Sequence, residues 1–424
     1  MKKSSRLKTA NAVTKTMLVG GALMSTAGVV LADESMDDLK ARVAQLEALA
    51  AKEGLLPSGK PATKLVSAMS DITISGFVQA SYFYDTSQPD DRASDGYLWN
   101  TAYNEFSFNK LKLTIASKPV DTDKWDAGFR ASLMFGEDAP DLNSGSGGAN
   151  TGFEDVREAY VELNVPVGTG LNIKAGELIS LLNWESGDGG AANPNFSQGN
   201  QWWYTGNGPS AGIQLGYNFT DKIGLTLRLD NGLYAGPTDS NDAKAFSAAL
   251  ALKPFKDFWI TFVPFYSVNE TTYSPGPPVV LNTDVSGIDV IGGYQVTEKL
   301  GTGFEFDYFH FNVTGGSDFD VWSLGGWVWY DFTSKVGIAF RADYVESPDV
   351  VLGPPVRPGA GIGSAGTTTD TDGALGSLTL TLNLKPMPNV KIQPEIRYDY
   401  TTYNNGLDNE DSRVIIGAGI SYMF

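Results

Sequence analysis

Apolar and polar positions alternate with a period of two along most of the chain from Ile72 onward. Between Trp125 and Leu133, one parity holds Trp125, Ala127, Phe129, Ala131 and Leu133; the other holds Asp126, Gly128, Arg130 and Ser132. Successive side chains of a strand point to opposite faces, so this segment reads as a strand with one apolar face. The same alternation recurs near 171–179, 213–219, 223–230, 336–344, 378–384 and 390–399. It is clearest at the end, where Val414, Ile416, Ala418, Ile420, Tyr422 and Phe424 oppose Gly417, Gly419 and Ser421. Segment 104–116 changes parity midway, which predicts a bulge. In 284–296 and 318–330 both faces are fairly apolar.

Punctuation between these segments gives the count. Short turns at 118–121, 166–168, 220–222, 253–256, 297–299, 331–335 and 385–389 alternate with longer connections at 85–103, 135–155, 180–210, 231–243, 269–283, 314–317, 345–373 and 401–411. Fifteen connections join sixteen strands. An even count, with short turns at one rim and long loops at the other, is the layout of a single-chain transmembrane barrel. A soluble barrel this wide would leave an interior too large for side chains to fill. Turning the apolar face to lipid and closing the sheet removes that difficulty and also the unpaired edges. The expected fold is therefore all-β, an antiparallel transmembrane barrel of about 16 strands around a polar lumen. Aromatics near strand ends (Tyr82, Phe83, Tyr84; Trp202, Trp203, Tyr204; Trp327, Trp329, Tyr330; Tyr398, Tyr400) are expected to form interfacial girdles.

The first 71 residues read differently. Lys2, Lys3, Arg6, Lys8 and Lys15 precede an uncharged, small and apolar run from Met17 to Leu31, and Val30-Leu31-Ala32 fits a cleavage site. Residues 1–32 are read as a signal peptide, with Asp33 starting the mature chain. In 33–54, Met36, Leu39, Val43, Leu46 and Ala50 follow three–four spacing, predicting a short periplasmic coiled-coil or lone amphipathic helix that ends at Gly54. Residues 55–71, with Pro57, Gly59 and Pro61, are read as a linker, and 72–424 as the barrel.

Composition narrows the function. There is no cysteine, which excludes thiolate metal sites and cysteine nucleophiles. The net charge of −18 would fall to about −23 on removal of the signal, which excludes nucleic acid as a partner. Acid-rich pieces around Asp370 and Asp372, and Asp408, Glu410 and Asp411, lack the full spacing of a calcium loop. No metal and no cofactor is expected. His310 stands alone between Phe309 and Phe311, and there is no phosphate loop, nucleophile elbow or zinc motif, so no enzyme is expected.

The inward parity carries the candidate chemistry. Arg228 with Asp230, Arg341 with Asp343, and Arg397 with Asp399 repeat one spacing; Glu305 with Asp307, Glu395 and Arg130 are further candidates for the pore lining. Opposed acids and bases around a water-filled pore set selectivity, or they brace the wall. The connection 180–210 is long enough to fold inward and narrow the pore, in which case Glu185 and Asp188 would favour cations; the alternative is an external, solvated loop.

These features resemble Gram-negative porins, in particular the β-barrel porin-2 group. Ile72-Thr73-Ile74-Ser75-Gly76-Phe77 opens the first strand, Ile173-Lys174-Ala175-Gly176-Glu177 leads to Trp184-Glu185, and Asn193, Asn195 and Ser197 precede the Gly212 to Phe219 strand. Phe424, with Tyr422 before it, resembles the terminal signal read by the barrel-assembly machinery. The resemblance implies passive diffusion of ions and small hydrophilic solutes. It also implies a homotrimer and contact with lipid and lipopolysaccharide in the outer membrane of a Gram-negative bacterium. Phosphate-selective porins also carry an N-terminal coiled coil, but their basic lumen ladders are not matched in so acidic a chain. The alternative to a channel is a plugged or substrate-specific barrel with a structural or adhesive role through its loops.

Overall fold

The computed structural model describes residues 71–89, 94, 102, 104–139, 156–233, 241–273, 280–347, 373–402, 407 and 410–424. The expected signal peptide, helix and linker lie outside the described residues, as do Asp370, Asp372 and Asp408.

Sixteen strands close into one antiparallel barrel. They are β1 (Ile72–Asp85), β2 (Glu105–Ser117), β3 (Asp126–Phe135), β4 (Val156–Val165), β5 (Leu171–Leu178), β6 (Ser210–Asn218), β7 (Ile223–Asp230) and β8 (Ala245–Leu252). Then come β9 (Phe258–Tyr273), β10 (Val280–Gln295), β11 (Leu300–Val313), β12 (Phe319–Asp331), β13 (Val336–Ser347), β14 (Gly373–Met387), β15 (Val390–Thr401) and β16 (Ser412–Met423). Each strand pairs with its chain neighbours, and β16 pairs with β1 from Phe77↔Met423 to Asp85↔Ile415. The seam ends in a reciprocal backbone pair, Gly76 N to Phe424 O at 2.8 Å and Phe424 N to Gly76 O at 2.9 Å.

All seven short turns stand where the sequence places them, and all eight longer connections join the opposite strand ends. Three of the short turns share one device. Thr220 Oγ1 accepts from the backbone N–H of Lys222 and Ile223, Thr297 Oγ1 from Lys299 and Leu300, and Thr333 Oγ1 from Lys335 and Val336, all at 3.0–3.2 Å. A threonine hydroxyl thus supplies the acceptor that the tight turn lacks, and the lysine two positions on stays at the rim.

The outward face is apolar, as the alternation requires. Ile416, Ile420, Tyr422 and Phe424 are exposed on β16 while Ser421 is fully buried toward the lumen. The bulge expected in 104–116 is at Asn109: Gln79 pairs with Lys110 and Ala80 with Phe108, leaving Asn109 unmatched. The extra residue turns both Asn109 and Lys110 away from solvent, while Phe106 and Phe108 remain on the lipid side.

The aromatic assignments need correction. Tyr398 and Tyr400 stack on the outside, with centroids 6.2 Å apart. Phe83 and Trp327, however, are buried on the inward parity, and Trp202 and Tyr204 belong to a helix inside the lumen. The two strands with apolar character on both faces also find their reason here. Toward the end bearing the long connections, Val263, Phe265, Val285, Phe309, Phe311, Phe319 and Val321 pack inside the barrel as part of one buried cluster. Phe311 and Phe319 stack at 4.5 Å.

Leu380 lies mid-strand on the lipid face of β14, between Phe340 and Ile396. Leu380→Arg is expected to destabilise the barrel by about 2–4 kcal/mol, against about 0–1 for Met387→Arg at the turn end of the same strand. Equilibrium unfolding from lipid vesicles measures both; equal losses would contradict the placement of the lipid face.

Candidate functional site

After β5 the chain turns inward, and residues 179–209 cross the lumen before β6 begins. Apolar anchors seat this segment on the far wall. Phe196 stacks on Phe83, with centroids 5.6 Å apart, and occupies the space a side chain at Gly419 would need. Trp184 stacks on Trp327 at 4.5 Å and covers Gly303. The segment contains a 3-10 turn at Gly189–Ala191 and a short helix, α1 (Asn200–Tyr204).

A loop in this position has backbone groups without a ladder, and buried ones must find partners. The wall supplies them in two kinds. Wall carboxylates accept loop N–H groups: Asp289 from Asn183 at 2.7 Å, Glu305 from Trp184 at 3.0 Å, Glu395 from Phe196 at 2.8 Å and Ser197 at 3.2 Å, and Asp343 from Asn200 at 2.7 Å. Wall cations donate to loop carbonyls: Lys391 to Gly190 at 2.8 Å and Asn193 at 2.6 Å, Arg397 to Gln198 at 2.5 Å, and Arg341 to Ser197. Arg228 donates to the carbonyl of Ile179 at 2.7 Å and so fixes the point of departure.

Glu185 is the centre of the latch. Its carboxylate accepts from Arg341 Nη1 at 3.0 Å, Trp327 Nε1 at 3.0 Å and the N–H of Gly199 at 2.8 Å, and its carbonyl accepts from Trp202 Nε1 at 2.8 Å. Arg341 is fully buried and spans Glu185, Asp343 and Thr379 Oγ1. A second network joins Arg397 to Asp399 at 2.6 Å and Asp399 to Arg413 at 3.2 Å; Arg413 reaches Asp85 at 3.3 Å.

The inward orientation expected for Arg228, Asp230, Glu305, Asp307, Arg341, Asp343, Glu395, Arg397 and Asp399 is found, and so is the inward course of the long loop. What parity does not reveal is that all nine are nearly or wholly inaccessible: from Glu305 to Asp399 they bind the loop or lie beneath it, and Arg228 holds its first residue. Glu185 is likewise fully buried in its pair with Arg341, and does not face solvent. Asp188 stays partly open, held by Lys112 at 2.8 Å.

Arg130 sits apart on β3, 38% exposed and bound to Glu158 at 2.6 Å. Next to it Lys174 (25% exposed) lies over the ring of Tyr160, 4.7 Å from its centroid, and 4.0 Å from Glu162 (23%). The loop's anchors run along β10 to β16, β1 and β2, so these partly open charges on β3 to β5 face the other side of the lumen. Sequence reasoning missed Lys110, Lys112, Lys391, Glu158, Glu162, Lys174 and Asp289. A signal was present for all but Asp289: each of the others falls on the polar parity of an alternating strand, as in Lys110-Leu111-Lys112 and Lys391-Ile392-Gln393.

The family profile described as "Putative beta-barrel porin-2, OmpL-like" matches residues 71–424. The chain belongs to this family. No curated protein matches it. Among solved structures it is similar to the loop L8 deletion mutant of OmpT, an outer membrane protein of Vibrio cholerae. The identity is 11% and the TM-score 0.55, covering 83% of this chain and 99% of that one. The anion-selective porin from Comamonas acidovorans gives the same identity, TM-score and coverage. OprB of Pseudomonas putida gives 12% and 0.54, covering 86% and 96%. Identities this low establish the shared fold alone. Family and barrel together make this porin an outer-membrane channel of a Gram-negative bacterium.

Replacing Arg341 with Met leaves the carboxylates of Glu185 and Asp343 buried without their base. Loss of one partner of a buried pair is expected to cost about 3–5 kcal/mol. The loop should also become open to chymotrypsin at Trp184 and Phe196. A variant as stable and as protease-resistant as the parent would show that Arg341 does not hold the loop.

Proposed function

We propose that this porin is a passive diffusion channel for ions and small hydrophilic solutes, narrowed by residues 179–209. The observation that supports this best is the one-sided seat of the loop. It is fixed to β10 through β2, while the inward charges of β3 to β5 stay partly open. Solute then passes between Asp188, held by Lys112, on one side and Arg130, Glu162 and Lys174 on the other. No catalytic role is assigned to any residue.

Selectivity is not carried by the fold, since one protein of this fold is described as anion-selective. The chain's 49 acidic against 31 basic residues support a preference for cations. The partly open lumen charges nearly balance, so the preference we propose is weak, and it does not rest on Glu185. In the same reading the chain is exported by a signal cleaved after Ala32. The outward Tyr422 and Phe424 are recognised by the barrel-assembly machinery. Three copies associate amid lipid and lipopolysaccharide, joined through a short coiled coil of residues 33–54.

Single-channel recording in a planar bilayer under a KCl gradient tests this. Discrete conductance steps with a small cation-selective reversal potential are expected. Arg130→Gln should move the reversal potential further toward cations, and Lys112→Gln should do the same. A verified folded barrel without conductance would overturn the channel reading in favour of a plugged barrel with a surface role.

A further inference from the structure

Three carboxylates at the neck of the loop have no base. Asp289 on β10 faces Asp307 across the β10–β11 ladder, and Glu305 lies two residues from Asp307. All three are 0% exposed, and one oxygen from each lies within 4.8 Å of the other two. Several other buried lumen acids meet cations, as Glu185 does at Arg341, Asp399 at Arg397 and Asp138 at Lys110. Among the described residues no ion pair reaches this trio. Buried charge without a partner is strongly unfavourable, and three like charges more so.

A separate observation points to what is missing. The outer oxygens of the two aspartates are occupied: Asp289 Oδ2 accepts from Asn183 N, and Asp307 Oδ2 from Thr205 Oγ1 at 2.9 Å and Ser323 Oγ at 2.6 Å. The Oδ1 atoms of both accept nothing, although both side chains are sealed from water. The side-chain amide of Gln201, also 0% exposed, has no partner at either atom. Its Nε2 lies 3.1 Å from the Cβ position of Gly325, the residue that pairs with Glu305, its Oε1 is turned toward Gly199, and Thr205 stands one helical turn beyond. Unpartnered polar groups, two of them carboxylate oxygens, therefore collect in one buried region.

We propose that Asp289, Glu305 and Asp307 hold a divalent cation of the calcium class. The donor set is oxygen alone, which suits a hard cation. Magnesium demands near-ideal octahedral geometry and keeps several waters, whereas the flexible shell of calcium suits three carboxylates sealed from water. The ion staples both ends of the loop at once, because Asn183 and Trp184 bind this trio on entry and Thr205 on exit.

The test uses the full chain refolded in detergent, stripped with EDTA, and dialysed against CaCl2 or MgCl2. Metal content by mass spectrometry and thermal unfolding are read together, and neither depends on conductance. One calcium per chain and a higher Tm in CaCl2 than in EDTA or MgCl2 are expected. Asp289→Asn and Asp307→Asn should each abolish both effects, yet fold in EDTA at least as well as the parent, because each removes an unpaired carboxylate. Glu346→Gln, on the outward parity of β13, should leave the calcium response intact. A parent barrel that retains no calcium and melts identically in all three conditions would overturn the proposal. That outcome would mean the trio is neutralised by shared protons. A calcium response that survives in both variants would overturn it as well.

Discussion

Hydrocarbon cannot hydrogen-bond a free strand edge, and this constraint dictates the rest of the molecule. Sixteen strands must end where they began, so β16 lies against β1 and Phe424 meets Gly76. A closed sheet of that size encloses more space than its own inward side chains occupy. The chain resolves this with one of its own connections. Residues 179–209 enter the lumen, and what would be an empty cylinder becomes a wall with a lining. The glycines of β16 take part in both steps: Gly419 makes room for Phe196, and Gly417 for Phe83.

An inserted loop creates an electrostatic problem of its own. Its peptide groups leave water without gaining a ladder, and the wall's charges leave water with them. The two deficits are matched against each other. Carboxylates of Asp343 and Glu395 take N–H groups, while Lys391, Arg397 and Arg341 take carbonyls. A buried ion pair is weak evidence for stability by itself, because desolvation opposes it. Here the pairs are also scaffolds that present donors and acceptors at fixed points. Arg341 would be a costly way to neutralise Glu185 alone, but it also reaches the Ser197 carbonyl and Thr379.

Most of the barrel was legible because strand alternation and turn punctuation are local. The parity change in 104–116 located the Asn109 bulge, and threonine–lysine turns at 220–222, 297–299 and 333–335 marked one rim. Parity names the face of a side chain but not what covers it. Arg341 and Arg130 look alike in sequence, yet one is sealed and the other open. Trp202 and Trp327 sit near strand ends in the chain and so resemble girdle residues, although they line the loop's seat. Asp289 was overlooked because its relation to Asp307 is a matter of register between β10 and β11. No spacing along the chain encodes it.

The asymmetry of the latch also limits what bulk charge can reveal about selectivity. Most lumen acids that contribute to the chain's negative total are neutralised or bound before a solute could meet them. Glu185, Asp343, Glu395 and Asp399 are nearly or wholly buried, and their field is further offset by Arg341, Arg397 and Arg413 close by. A passing ion would experience the few groups left partly in water, where Arg130 and Lys174 stand against Asp188 and Glu162. On the proposed path, electrostatic control of permeation falls to β3 to β5 and the tip of the loop. A single substitution there would alter the balance more than several changes beneath the loop, where the same charges serve the architecture.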